Sequence, residues 1–233
     1  MKNHFYIFLL VSLGIILAAC TGPGPDDLTG GGTETETYGI IGSIVKGDGL
    51  PAEDAWVRIR PLTHIPGDKL EGPIDSVYTT DTNGRFAISG LEESWYSIIA
   101  RDTAGKALCN FLNLSKSTTA DSIYLMMPDT LRPTGKMNGV VRFPATFPLD
   151  KIDLALQGLD LDRVQATDSL PEFSLDSIPA GSYTLLSVPL APVSGATFPR
   201  FAGIDIHPDS TTVVDTIDLG FLDSLSTSER KTQ

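Results

Sequence analysis

From Tyr38 onward, apolar and polar residues alternate with a period of two. Ala55, Val57 and Ile59 alternate with Trp56, Arg58 and Arg60. Phe86 and Ile88 alternate with Arg85, Ala87 and Ser89, and Tyr96, Ile98 and Ala100 with Trp95, Ser97 and, less cleanly, Ile99. Strict alternation predicts half-buried β-strands. Turn-forming clusters separate them: Gly47-Asp48-Gly49, Asp81-Thr82-Asn83-Gly84 and Asp102-Thr103-Ala104-Gly105. Asn83-Gly84 predicts a tight hairpin with positive φ at both central residues. No window of twelve or more residues beyond position 20 carries a helical stripe. Many short strands with regular turns predict an all-β chain built as a sandwich or barrel.

The pattern occurs twice. Gly42 in Ile41-Gly42-Ser43-Ile44-Val45 aligns with Gly139 in Asn138-Gly139-Val140-Val141, and Ala55–Ile59 aligns with Ile152–Leu156, both at an offset of 97. Thr80-Asp81 aligns with Thr167-Asp168, Phe86 with Phe173, Ile88 with Leu175, Leu91 with Ile178 and Tyr96 with Tyr183, all at an offset of 87. The two offsets reconcile if the first copy holds ten extra residues between Pro61 and Thr79. Copies of about 90 residues suit small domains. The expected division is 38–128 and 133–220, joined by Pro128–Pro133, with a disordered tail over 221–233.

The first 37 residues differ in kind. Lys2 precedes fifteen uncharged, mostly apolar residues from Phe5 to Ala19, too few for a span of about 20. A positive start, a short apolar middle and small residues before the cut predict a secretory signal over 1–19. Leu17-Ala18-Ala19-Cys20 resembles the lipobox of bacterial lipoproteins. That resemblance implies a lipidated Cys20 as the mature N-terminus and a membrane partner through the acyl chains. Thr21 stands where enteric lipoproteins retained in the inner membrane carry Asp, which implies an outer-membrane location in the cell envelope. Residues 20–37 are rich in Gly, Pro, Thr and acid, the composition of a flexible tether roughly 20–25 Å in r.m.s. length.

Charge narrows the partners. The formal net charge is -12, and loss of Lys2 with the signal makes it -13. That argues against nucleic acid, whose affinity comes from Lys and Arg neutralising phosphates. With Cys20 committed to the anchor, Cys109 is left with no disulfide partner. It reads as a small buried apolar residue on a strand rather than a reactive thiol.

Each copy resembles the carboxypeptidase regulatory-like domain, a transthyretin-like (prealbumin-like) β-sandwich. The motifs are Gly42-Ser43-Ile44, Gly49-Leu50-Pro51 leading to Ala55-Trp56-Val57, Thr80-Asp81-Thr82-Asn83-Gly84-Arg85-Phe86, and Leu91 leading to Trp95-Tyr96. The second copy keeps Ile178-Pro179-Ala180-Gly181-Ser182-Tyr183. It departs at Leu170-Pro171, where the first has Asn83-Gly84; proline cannot take positive φ, so the second copy must turn differently there. Tyr96 and Tyr183 fit a structural corner, their hydroxyls bonded to nearby backbone.

Chemistry-bearing residues are sparse. His4 leaves with the signal, and neither His64 nor His207 sits in a recognisable catalytic motif. Asp81, Asn83 and Glu92 mimic a calcium loop, but Arg85 occupies a ligand position and Phe86 the glycine position, so no metal or other cofactor is expected. Trp56, Tyr78 and Trp95 are candidate ligand contacts, since an exposed aromatic offers an apolar platform with a polar edge. For Trp56 the competing reading is packing under a loop or between the copies. Thr63–Ser76 and Pro189–Gly203 are the stretches expected to meet a partner. The reading is a non-enzymatic, lipid-anchored envelope module with a structural, adhesive or accessory role; the alternative is a carbohydrate-binding lipoprotein that captures polysaccharide.

Overall fold

The computed structural model describes residues 37–116, 123–190 and 196–224. The expected signal, Cys20 and the tether up to residue 36 lie outside the described residues. Sixteen strands are present among those described. The first eight are β1 (Tyr38–Val45), β2 (Trp56–Pro61), β3 (Tyr78–Thr79), β4 (Arg85–Leu91), β5 (Ser94–Arg101), β6 (Ala107–Leu114), β7 (Ile123–Leu125) and β8 (Asp129–Thr130). The second eight are β9 (Gly135–Arg142), β10 (Lys151–Leu156), β11 (Val164–Thr167), β12 (Glu172–Ile178), β13 (Gly181–Val188), β14 (Arg200–Ile206), β15 (Thr211–Val213) and β16 (Ile217–Asp218). Short 3-10 turns lie at Gly72–Asp75 and Gly220–Leu222.

The chain is all-β. Its first half stacks a sheet ordered β4-β1-β7, with β8 also on β1, against a sheet ordered β3-β2-β5-β6. Its second half repeats this as β12-β9-β15, with β16 also on β9, and β11-β10-β13-β14. Adding eight to each label of the first half gives the second, so the internal repeat is a repeat of topology. β1 pairs antiparallel with β4 and parallel with β7 and β8. In each half the inward residues of the two sheets meet in a core. Ile40, Ile44, Val57, Ile59 and Ile98 lie in the first, and Met137, Val141, Ile152, Leu154 and Leu185 in the second.

The aligned glycines have a packing reason. Gly42 pairs across the sheet with Phe86, and Gly139 with Phe173. A Cβ on Gly42 or on Gly139 would stand 2.6 Å from the ring of its partner phenylalanine, far inside contact distance. Both rings are buried. Each glycine therefore makes room for an aromatic ring laid across its own strand. The aligned tyrosines form corners: the Tyr96 hydroxyl donates to the Glu92 carbonyl at 3.1 Å, and that of Tyr183 to Pro179 at 2.8 Å.

The Asn83-Gly84 turn differs from its expectation. β3 belongs to one sheet and β4 to the other, so the turn carries the chain between sheets instead of closing a hairpin. Gly84 takes φ +70°, while Asn83 keeps negative φ. The cause is Asp81, whose Oδ1 accepts from the N–H groups of Asn83 and Arg85, each at 2.8 Å, and templates the turn from the side chain. The second copy turns over Thr167–Leu170 by two reciprocal backbone bonds of 3.1 Å, with no glycine. Pro171 then offers its carbonyl to Val141 as Gly84 does to Ile44.

The joining segment belongs to the first sandwich as far as Arg132: β8 pairs with β1, Leu131 is buried in the first core, and Arg132 exchanges backbone bonds with Ala107. Residues 221–224 pack on the second sandwich. Leu222 is buried in the second core. The Asp223 carboxylate accepts from the N–H groups of Ala145, Thr146 and Phe147, and those bonds hold its pKa at about 2.

Gly42→Ala should cost about 1–3 kcal/mol in urea unfolding, the ordinary penalty of overpacking. Gly47→Ala, with nothing within 4 Å of the added methyl, should stay within about 0.5 kcal/mol of the parent.

Candidate functional site

The outer face of the β2-β5-β6 sheet carries the polar parity of each strand. β2 contributes Trp56, Arg58 and Arg60, and β5 contributes Trp95, Ser97, Ile99 and Arg101. Register places Arg58 opposite Ile99, Arg60 opposite Ser97, and Ile99 and Ser97 opposite Cys109 and Phe111 of β6. On an isolated sandwich this face would meet water. Here the second copy covers much of it, and that explains the imperfect alternation at Ile99, which is buried in the second copy's core.

A carboxylate organises the junction. Asp160, just beyond β10, bonds Arg58 through Oδ2 and takes the Nε and Nη2 of Arg60 on Oδ1 at 3.2 and 3.1 Å. Arg60 is only 3 % exposed. Its remaining Nη1 donates to the carbonyls of Ile59, at 3.0 Å, and Ile74. Burial and the neighbouring Arg58 lower the Arg60 pKa, yet a guanidinium keeps its charge at any physiological pH. Beside this pair, the Ser97 hydroxyl bonds the Gly158 carbonyl. At the far end, Arg101 donates to the Ser177 carbonyl at 2.6 Å.

The stretch that holds the ten extra residues acts as a clasp. The Leu62 carbonyl accepts from Gln157 Nε2 at 2.8 Å, the His64 carbonyl from the Gly158 N–H at 3.0 Å, and the Pro66 carbonyl from Arg163. Arg163 also lies 3.5 Å from Asp68 and 3.8 Å from Asp153. The front of Thr63–Ser76, expected to face a partner, is thus turned onto the second copy, with His64 and Pro66 buried. His64 is 5 % exposed and its Nδ1 has no hydrogen-bond partner. Burial first, then the Arg60 charge, push its pKa below the ordinary value; Asp68 opposes and Arg163 adds to the effect. In the other expected partner stretch, Phe198 packs on the second core and meets Phe221 edge-on, with ring centroids 6.3 Å apart.

The three aromatic candidates part company. Trp56 packs against the second core, with the Arg58 and Arg101 guanidinium carbons 5.4 and 5.9 Å from its ring centre. Tyr78 packs on the first core and donates its hydroxyl to Pro73 at 3.3 Å. Trp95 lines a surface groove of about 220 Å³, with Leu62, Phe111 and Gln157 and, from β13, Ser182, Tyr183 and Thr184. Trp95 is 54 % exposed and Phe111 40 %. Phe111 was not foreseen as a site residue, although its parity on β6, opposite that of Leu108 and Leu112, placed it on the outer face. It meets Tyr183 edge-on at 6.0 Å.

Cys109 packs against the second core beside Tyr183. Cys109 is half-buried, and desolvation pushes its thiol up to about 12, so it is a neutral thiol at neutral pH. Among the described residues, no three His, Cys, Asp or Glu side chains converge as a metal site.

Comparison with known proteins places the chain in no family. No protein-family model matches it, and no curated protein does. Among solved structures it is similar to a streptococcal ancillary pilin at 15% identity and a TM-score of 0.32. That alignment covers 79% of this chain and 63% of the pilin, so the chain spans less than two thirds of that protein. It is similar to GBS52, a minor pilin of Streptococcus agalactiae, at 14% identity and a TM-score of 0.34, over 78% of this chain and 94% of the pilin. A leucine-rich repeat protein of Bacteroides thetaiotaomicron aligns at 10% identity and a TM-score of 0.29, over 78% of this chain and 26% of its own. Superpositions this loose assign neither family nor role.

Asp160→Ala should cost about 3 kcal/mol, because it strands the buried Arg60 charge. Cys109 should then react with iodoacetamide under native conditions in the variant and resist it in the parent. His64 sets a pH dependence of definite sign. Its folded pKa lies below the unfolded value of about 6.5, so the unfolded chain binds more protons as the medium acidifies. Stability from neutral His64 is complete above about pH 6.5 and declines as pH falls toward the folded pKa. Melting temperatures between pH 7.5 and 5 should drop more for the parent than for His64→Gln.

Proposed function

We propose that the chain is a lipid-anchored module of the cell envelope, held at Cys20, that presents two carboxypeptidase regulatory-like sandwiches as one stiff body. Its role on this reading is structural, adhesive or accessory rather than enzymatic, and its place is the outer membrane. The observation that carries the reading joins sequence to structure. Seventeen tether-like residues separate Cys20 from β1, and the body that begins there is bolted internally through Asp160. A Gly-, Pro-, Thr- and acid-rich stretch ahead of a rigid double sandwich has the composition suited to displaying a surface from a lipid anchor. The aligned Gly-Phe pairs and tyrosine corners support the assignment of both copies to one sandwich type. Two side chains that could do acid–base or nucleophilic work, His64 and Cys109, are committed to the junction, which favours a binding or structural role over catalysis.

Metabolic labelling with palmitate tests the anchor. The parent should take up label and fractionate with membranes, while Cys20→Ser should lose the label and be released into the soluble fraction. Equal labelling of the two would end the proposal.

A further inference from the structure

The groove at Trp95 exists only because the two sandwiches are docked. Leu62, Trp95 and Phe111 come from the first copy, and Gln157, Ser182 and Thr184 from the second. We propose that it binds a neutral glycan chain, with the Trp95 indole and the Phe111 ring as the platform for pyranose rings. This deepens the accessory-binding part of the reading above by naming a site and a ligand class.

Four features of the groove support that class. First, it keeps two aromatic rings half open to solvent on a well-packed body, Trp95 at 54 % and Phe111 at 40 %, on adjacent strands and the same sheet face. The C–H face of a pyranose is apolar and flat, and it suits a ring that offers an apolar surface with a polar edge. Second, the opposite wall carries hydroxyls and an amide, groups that both donate and accept, as vicinal sugar hydroxyls do. Gln157 is fixed in place by its own bond to the Leu62 carbonyl at 2.8 Å, so that wall is preorganised. Third, no lining residue is charged, and the chain carries a formal net charge of -12. Uronic acids and sulfated sugars would be repelled, which selects neutral polymers. Fourth, at about 220 Å³ the groove is smaller than the roughly 300–1,000 Å³ of sites that swallow a drug-sized ligand. It suits a ring or two of a longer chain that continues into solvent. A proline-rich peptide would also stack on the aromatics, but it presents carbonyls alone and would leave the donor-and-acceptor wall half used.

The test is a titration of the full chain, kept in a non-glycosidic detergent, with cellohexaose and with maltoheptaose, followed by tryptophan fluorescence and calorimetry. Saturable binding of at least one of them, with a change in emission, is expected. Trp95→Ala should weaken that binding at least about tenfold with an unchanged melting temperature, Trp95→Phe should retain part of it, and Val213→Ser, on an exposed strand outside the groove, should match the parent. The proposal falls if neither oligosaccharide binds, if Trp95→Ala binds as the parent does, or if a proline-rich peptide binds where both glycans fail. Binding measured this way does not depend on acylation, so its failure and a failure of the anchor are separate results.

Discussion

One carboxylate shared by two arginines governs how this molecule is put together. Asp160 reaches from the second sandwich to Arg58 and Arg60 on the outer face of the first. Arg60 is the more demanding partner, because it is buried and cannot shed its charge. It spends its remaining N–H group on the Ile59 and Ile74 carbonyls, and so ties its own strand and the extra segment to the same carboxylate. A buried ion pair of this kind adds little net stability over an apolar contact of equal volume. Its value is positional, since in this arrangement of the two sandwiches one carboxylate satisfies both guanidinium groups.

Other features follow from that placement. Ser97 can meet Gly158, and the Leu62, His64 and Pro66 carbonyls can meet Gln157, Gly158 and Arg163, only with the sandwiches in this position. The same docking shields Ile99, Trp56 and Cys109, and it closes the groove between Trp95 and Ser182. The two sandwiches are alike, and the stretch with the ten extra residues adds contacts between them. The segment longer in the first copy is the one that grips the second.

Much of the fold was legible in the chain because the signals are local. Period-two alternation marked the strands. The offsets of 97 and 87 marked the repeat, and the register pairs Gly42 with Phe86 as it pairs Gly139 with Phe173. The tyrosine corners were legible because the hydroxyl reaches back only four residues. The Asn83-Gly84 turn was misread because its residue pair suits a hairpin, whereas Asp81 and the assignment of β3 and β4 to different sheets impose another geometry.

The candidate site was legible only in pieces. Three aromatics were alike as candidates, and the second sandwich covered Trp56, the first core took Tyr78, and Trp95 was left at the open edge. Phe111 and the β13 hydroxyls joined it across a sequence distance that no periodicity spans. What the chain determined by itself was the strand pattern, the duplication and the tyrosine corners, since each rests on a signal local to a strand or repeated along the chain. What the tertiary structure alone decided was which outer face meets the other copy. That choice rests on a carboxylate about 100 residues from its guanidinium partners, and such a meeting is set by the summed packing of two cores rather than by any local signal.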